Sequence, residues 1–222
     1  TMAALLRSRC AGVLLCRPLV ALGGLTAARR ASSAHALALG YVRKLDDIVK
    51  VELLEREPAT AVKRIWEDFH ANTADQSCGV AIEAKQNELL LARLAESPMF
   101  IAPVRRGDGF FVLAMQAKER SLCFTFLEDF KKSPETAVPW LFATVYDDLV
   151  PSKGVALLRA DFMPKLLSKQ EAAEVLGAVL TMYTSDKYDR IWIFNHAPKY
   201  FKVDEYLAQA GCSLPDRPAG AQ

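Results

Sequence analysis

The first 45 residues contain no aspartate or glutamate; Asp46 is the first acidic side chain. The same stretch holds seven basic residues, Arg7, Arg9, Arg17, Arg29, Arg30, Arg43 and Lys44, spaced by Ala, Leu, Val, Gly and Ser. Acid-poor, Arg-rich N-termini are read by the mitochondrial import machinery, so residues 1–33 are expected to be a transit peptide with processing near Ala31-Ser32-Ser33. Other targeting, plastid or secretory, and a plain tail are the alternatives. The secretory signal is disfavoured because Arg17 breaks the apolar stretch that a signal peptide keeps whole. Long hydrophobic runs are missing too. No run approaches the ~18–20 apolar residues of a membrane-spanning helix, so stable membrane insertion is not expected.

The other shortages concern chemistry. Of five cysteines, Cys10 and Cys16 lie in the leader, and Cys78, Cys123 and Cys212 are far apart with no C-x-x-C pair. That excludes a disulfide framework and a zinc ribbon. There are three histidines, His35, His70 and His196. No G-x-x-x-x-G-K-[ST] phosphate loop occurs, Gly107-Asp108-Gly109 lacks the third glycine of G-x-G-x-x-G, and no G-x-S-x-G elbow is found. A general basic footprint is absent as well. The chain has 28 basic and 26 acidic residues; with the seven early cations set aside, 21 face 26, a balance of −5. A mildly acidic domain does not suit general nucleic-acid binding.

What is present is a well-patterned domain, 51% apolar overall. Residues 34–44 read as a linker, 45–213 as one domain and 214–222 as a flexible tail. A short amphipathic piece covers Leu45 to Leu54. Pro58 opens a helix with Val62, Ile65, Trp66 and Phe69 on one face, and a second helix runs from Ala84 to Ala95, stopped by Ser97-Pro98. Strands are expected at Cys78–Ile82, Met99–Val104, Phe110–Ala117, Ser121–Leu127, Trp140–Val145 and Val155–Ala160, and a last, central one at Arg190–Asn195. Ser168-Lys169-Gln170-Glu171 is a capping box that starts a long helix with Ala172, Val175, Leu176, Val179, Leu180 and Tyr183 buried. A short helix from Val203 to Ala210 ends at Gly211. The expected fold is α/β (α+β): one central mixed, largely antiparallel sheet of about six strands with helices packed around it.

Few residues suggest catalysis. His196 is either a strand-end residue or a general base. The pairs Asp147-Asp148 and Glu128-Asp129 are either solvated or capping acids, or acid–base and metal groups. Arg105-Arg106 and Lys131-Lys132 are solvated faces or partner contacts. The aromatics Trp66, Trp140, Trp192, Phe194, Tyr200 and Phe201 belong to the core unless some form an exposed patch, which would mark a partner site. An empty motif search in a well-patterned domain favours binding over catalysis.

Three strings carry a resemblance. They are Tyr146-Asp147-Asp148-Leu149 continuing into Lys153-Gly154-Val155-Ala156-Leu157-Leu158-Arg159-Ala160-Asp161; Phe194-Asn195-His196-Ala197-Pro198-Lys199-Tyr200-Phe201; and Phe100-Ile101-Ala102-Pro103-Val104-Arg105-Arg106 with Gly109-Phe110-Phe111. In this order they resemble the mitochondrial F₁-ATPase assembly factor 1 family, over about Leu45 to Gly211. The resemblance implies a matrix chaperone that binds the free β subunit of the ATP synthase head until α joins it. It also implies no catalytic residue, no metal and no cofactor, and a monomer is expected. The motif positions Arg105, Tyr146, Lys153, Gly154, Phe194, Asn195, Pro198 and Phe201 become candidate partner contacts. A small matrix enzyme of unknown reaction and an accessory subunit of a mitochondrial complex are the rival readings.

Overall fold

The computed structural model describes residues 42–74 and 76–212; the expected leader and tail lie outside them. Six strands form one sheet: β1 (Ser77–Glu83), β2 (Met99–Arg106), β3 (Gly109–Lys118), β4 (Ser121–Phe126), β5 (Pro139–Tyr146) and β6 (Val155–Phe162). Their spatial order is β1-β6-β5-β4-β3-β2, and every pairing is antiparallel. The expected sheet therefore stands, without a parallel component. Tight connections explain this. Two-residue turns join β2 to β3 and β3 to β4, with Gly107 at φ 57 and Glu119 at φ 53 supplying the left-handed backbone such turns need.

The helices are α1 (Val51–Leu54), α2 (Ala59–Asn72), α3 (Ala84–Glu96), α4 (Leu127–Lys132), α5 (Val150–Lys153), α6 (Lys169–Thr184), α7 (Tyr188–His196) and α8 (Val203–Gln209), with 3-10 turns at Leu45–Asp47 and Pro198–Tyr200. None among the described residues is long and apolar enough to cross a membrane. The piece expected over Leu45–Leu54 is thus a 3-10 turn followed by one α-turn. Pro58 is the N-cap of α2, one position before the helix proper.

Most of the apolar side chains form one core that α3, α6, α7 and α8 share with the sheet. Strand alternation decides which residues enter it. Ala156, Leu158, Ala160 and Phe162 of β6 point into this core, while Val155 and Leu157 point into a smaller one with Leu45, Leu54, Val62, Trp66, Tyr146 and Leu149. Helix α6 buries all six residues of its expected stripe. Its capping box is formed: the Glu171 amide donates to Ser168 Oγ at 3.2 Å, and Glu171 Oε2 accepts from the Ser168 amide at 2.7 Å.

One expected element has the wrong type. Arg190–Asn195 is not a strand but part of α7, with Tyr188, Ile191, Phe194 and Asn195 buried at helical spacing and Trp192 exposed. Four consecutive apolar residues, Ile191 to Phe194, look alike on a buried strand and on a helix that is apolar around much of its girth. On α2 the buried face is also rotated from the expected one. Val62, Trp66 and His70 are fully enclosed, whereas Ile65 and Phe69 are partly exposed.

Candidate partner-binding surface

His70 takes the inner position on α2 because β6 offers it a charge. Arg159 lies within the sheet, 2% exposed, in a strand otherwise apolar up to Asp161. Two residues along the same face, Asp161 accepts from Arg159 Nη2 at 2.9 Å and from its Nε at 3.2 Å. Arg43 approaches the same carboxylate at 3.9 Å. His70 Nδ1 is 2.8 Å from the Trp66 carbonyl, which can only accept, so Nδ1 carries the proton. Nε2 is then free to accept from Arg159 Nη1 at 3.3 Å. The imidazole is neutral, and burial holds its pKa down at about 4. Trp66 Nε1 donates to the Leu158 carbonyl at 3.0 Å. Gly79 lets this layer close: a Cβ there would lie 2.6 Å from His70 Nδ1 and 2.8 Å from Trp66 Nε1. The cluster is a clamp between α2 and the sheet, enclosed against a substrate.

The candidate contacts fall into two groups, separated by β3 and β4. At the β5–β6 end, Tyr146 is buried against Trp66, ring centroids 6.4 Å apart, and burial pushes its hydroxyl up to about 12. Lys153 ends α5, and Gly154, at φ 66, caps it in the left-handed conformation while its carbonyl accepts from the Ala84 amide. These three hold the β5–β6 connection together.

At the other end lies the free edge of β2. The Ala117 amide bonds to the Pro98 carbonyl, so Met99, Ile101 and Pro103 turn their backbone groups away from β3. Each is dealt with. Asn195 accepts from the Met99 amide at 3.1 Å and donates to its carbonyl at 2.6 Å, imitating a neighbouring strand. Tyr206 donates to the Ile101 carbonyl at 3.0 Å. Pro103 has no N–H to expose. These contacts obstruct strand addition around Met99. Phe194 and Phe201 pack on Phe100, with centroids 5.5 and 6.1 Å away, and hold α7 and the 3-10 turn in place. Pro198 starts that turn, half-buried, and Arg105 is exposed against Gly211. Most of the string Phe194–Phe201 thus builds the surface, and its outward residues present it. His196, Lys199 and Tyr200 are exposed, as is Trp192 one turn earlier.

This outward face is aromatic. Tyr200 is 65% exposed and Trp192 43%. Trp192 lies against His196 at 5.0 Å, and Lys199 sits over the Tyr200 ring at 4.7 Å. Beside them runs a small groove of about 170 Å³ lined by Arg190, Ile193, Tyr200, Phe201, Lys202, Glu205, Tyr206 and Gln209. That is well below the roughly 300–1,000 Å³ of a small-molecule site. The sequence marked these aromatics as core or patch without sorting them; only the helical setting of Trp192 turns it outward. Of the others, Trp66 is buried and Trp140 is half-buried between Phe111 and Phe126.

Several of the groups weighed for catalysis are otherwise engaged. His196 Nε2 is 3.2 Å from Ser97 Oγ. The Tyr188 hydroxyl lies 2.7 Å from Glu96 Oε2 and 2.9 Å from Ser97 Oγ. Its single proton goes to the carboxylate, which only accepts, so the serine proton makes the second contact. Ser97 Oγ is left as an acceptor for a proton on His196 Nε2. The histidine therefore takes no proton from this serine, which is fully buried at the end of α3. Asp147 binds Arg120, and Glu128 binds Lys131 within the first turn of α4. Arg106 forms a two-pronged pair with Glu171, at 2.7 and 2.8 Å. Among the described residues no group of three or more His, Cys, Asp or Glu is arranged to hold a metal ion.

Residues 26–207 match the family model described as ATP11 protein. The human "ATP synthase mitochondrial F1 complex assembly factor 1" is 26% identical over 170 residues, 75% of this chain and 51% of the human one. The mouse protein of the same name is 25% identical over 170 residues, 75% and 52% of the two chains. "Protein atp11, mitochondrial" of Schizosaccharomyces pombe is 25% identical over 171 residues, 72% and 59%. The chain spans between half and three fifths of the length of these curated relatives. With its family model matched over most of its length, the chain belongs to the ATP11 protein family.

Proposed function

We propose that this protein is an assembly chaperone of the mitochondrial ATP synthase catalytic head. It holds the free β subunit and keeps it from aggregating until α joins it. Residues 1–33 deliver it to the matrix, and residues 34–44 link the leader to the working domain of 45–213. The role is protein binding without catalysis or cofactor.

The observation that carries the reading is the family match over residues 26–207, among relatives named as F1 complex assembly factors. The physical logic supports it. An unpaired subunit exposes an interface built to be buried, usually large and apolar when the partnership is obligate. A holder needs an exposed apolar surface of its own and an affinity that the final partner exceeds. Trp192 and Tyr200 supply such a surface, on a rigid base of Phe100, Phe194 and Phe201. The engagement of Ser97, His196 and Asp147 leaves no activated nucleophile among them.

Light scattering of isolated β subunit, warmed with and without this protein, tests the role. An equimolar amount is expected to suppress most of the scattering, and an unrelated protein of equal size to leave it unchanged. Undiminished aggregation in the presence of folded protein would contradict the proposal.

A further inference from the structure

We propose that the groove between α7, the Pro198–Tyr200 turn and α8 is where a client segment docks, and that it takes an apolar side chain with a carboxylate beside it. The inference rests on the β-subunit reading and names the part of the surface that does the holding.

Three observations converge. The first is Arg190. It is half-buried at the groove wall, yet its side chain makes no hydrogen bond or ion pair among the described residues. Its neighbours are spoken for: Lys202 is paired with Glu205 at 2.7 Å, and Lys199 lies on the Tyr200 ring. The acid in the groove is thus already neutralised, and the guanidinium is the charge left over. A guanidinium held at the groove wall without a partner is open to an anion, and its planar fork fits a carboxylate. The second is the lining. Ile193, Tyr200, Phe201 and Tyr206 give an apolar floor, and the Tyr206 hydroxyl is already committed to the Ile101 carbonyl. At about 170 Å³ the space suits a single side chain. The third is the rim. The exposed ring of Tyr200 borders the groove, and aromatics with Arg are the residue types that dominate binding hot spots. The ring-packed base fixes all of this in advance, so docking costs little ordering.

The occupant is therefore a β-subunit segment that carries an aliphatic or aromatic residue next to an aspartate or glutamate. Such a segment is typical of an interface meant to be buried later. A second copy of this chain in the groove, or a free anion on Arg190, is the competing occupant that the test separates.

The test uses the full chain immobilised on a surface, with purified β subunit flowed over it. Arg190→Glu is expected to weaken binding more than tenfold, and Arg190→Gln and Tyr200→Ala several-fold each. Raising salt should weaken the native chain more than Arg190→Gln. Both side chains are partly or largely exposed, so unchanged thermal midpoints are expected for all three variants and are measured in parallel. If the native chain binds β and Arg190→Glu and Tyr200→Ala bind it within twofold, the groove proposal is wrong and the chaperone reading survives. If the folded native chain does not bind β at all, the chaperone reading fails and takes the groove with it. Hydrogen exchange is the second readout, independent of any variant. Amides of residues 188–209 should slow when β is added, and protection confined to other segments overturns the assignment. Equal slowing on self-association without β assigns the groove to a second copy, and slowing by acetate alone to a free anion.

Discussion

Protonating His70 charges an imidazole that has Arg159 against its acceptor nitrogen. Its folded pKa, about 4, lies below the ordinary value of 6.5, so the unfolded chain binds the proton more tightly. Stability from this group is fully present above pH 6.5 and is lost as pH falls from there toward 4. The loss is on the order of 3 kcal/mol, and urea midpoints measured across that window should fall accordingly. Glu171 acts lower on the scale. Its bond from Arg106 holds the carboxyl down at about 2, so its contribution persists above pH 4.5 and disappears as pH falls through 2. Arg106 is half exposed, so Glu171→Gln is expected to cost only about 1 kcal/mol, from the lost ion pair, because a glutamine there can still accept from the Ser168 amide. Asp161→Asn is different because it leaves Arg159 charged and enclosed. A cost of about 3–5 kcal/mol in chemical denaturation is expected, against less than 1 for a surface acid such as Asp204. Gly79→Ala, which drives a methyl into His70 and Trp66, should cost about 1–3 kcal/mol. At this scale the sequence was legible only in part. An arginine in Val155-Ala-Leu-Leu-Arg-Ala-Asp-Phe is visible as a charge in an apolar strand. Its partner His70 is 89 positions away, and only the pairing of α2 with the sheet brings them together.

Among the elements, α6 and α7 show why one helix was readable and its neighbour was not. Ser168 and Glu171 mark the start of α6 with a reciprocal cap, and its six buried residues repeat at helical spacing. Helix α7 follows with no side-chain cap at Lys187, and its apolar residues are consecutive. The spacing of Tyr188, Ile191 and Asn195 was the available signal, but a buried asparagine does not announce itself as an inward position. Its reason for being inward is the edge of β2. Asn195→Leu should therefore do two things. It removes the partners of the Met99 amide and carbonyl, costing about 1–3 kcal/mol, and it reopens an edge that other chains can join. Concentration-dependent association in analytical ultracentrifugation, absent in the native chain, is the expected sign. The same placement explains the motif Phe194–Phe201: half its residues are needed to build the rim, so a string found by resemblance is a mixture of scaffold and surface.

For the molecule as a whole, the antiparallel sheet and its helix-covered faces followed from consecutive strands joined by short turns. The candidate surface did not, because exposure is a property of the assembled fold. Tyr146, Asn195 and Phe201 drew attention in the sequence and turn out to be internal. Trp192 and Arg190 carry the outward chemistry, and both lay in the segment expected to be a strand. The acid-free residues 1–41 stand outside the described structure, so the address they suggest is tested by import and processing rather than by geometry. The central claim is that the domain holds one client and yields it. Retention of separately purified α and β subunits on this protein, followed by addition of the other subunit, measures that most directly. The account predicts that β is retained, α is not, and that adding α releases β as an α–β pair. Retention of neither subunit by folded protein, or of β that α cannot displace, would contradict it.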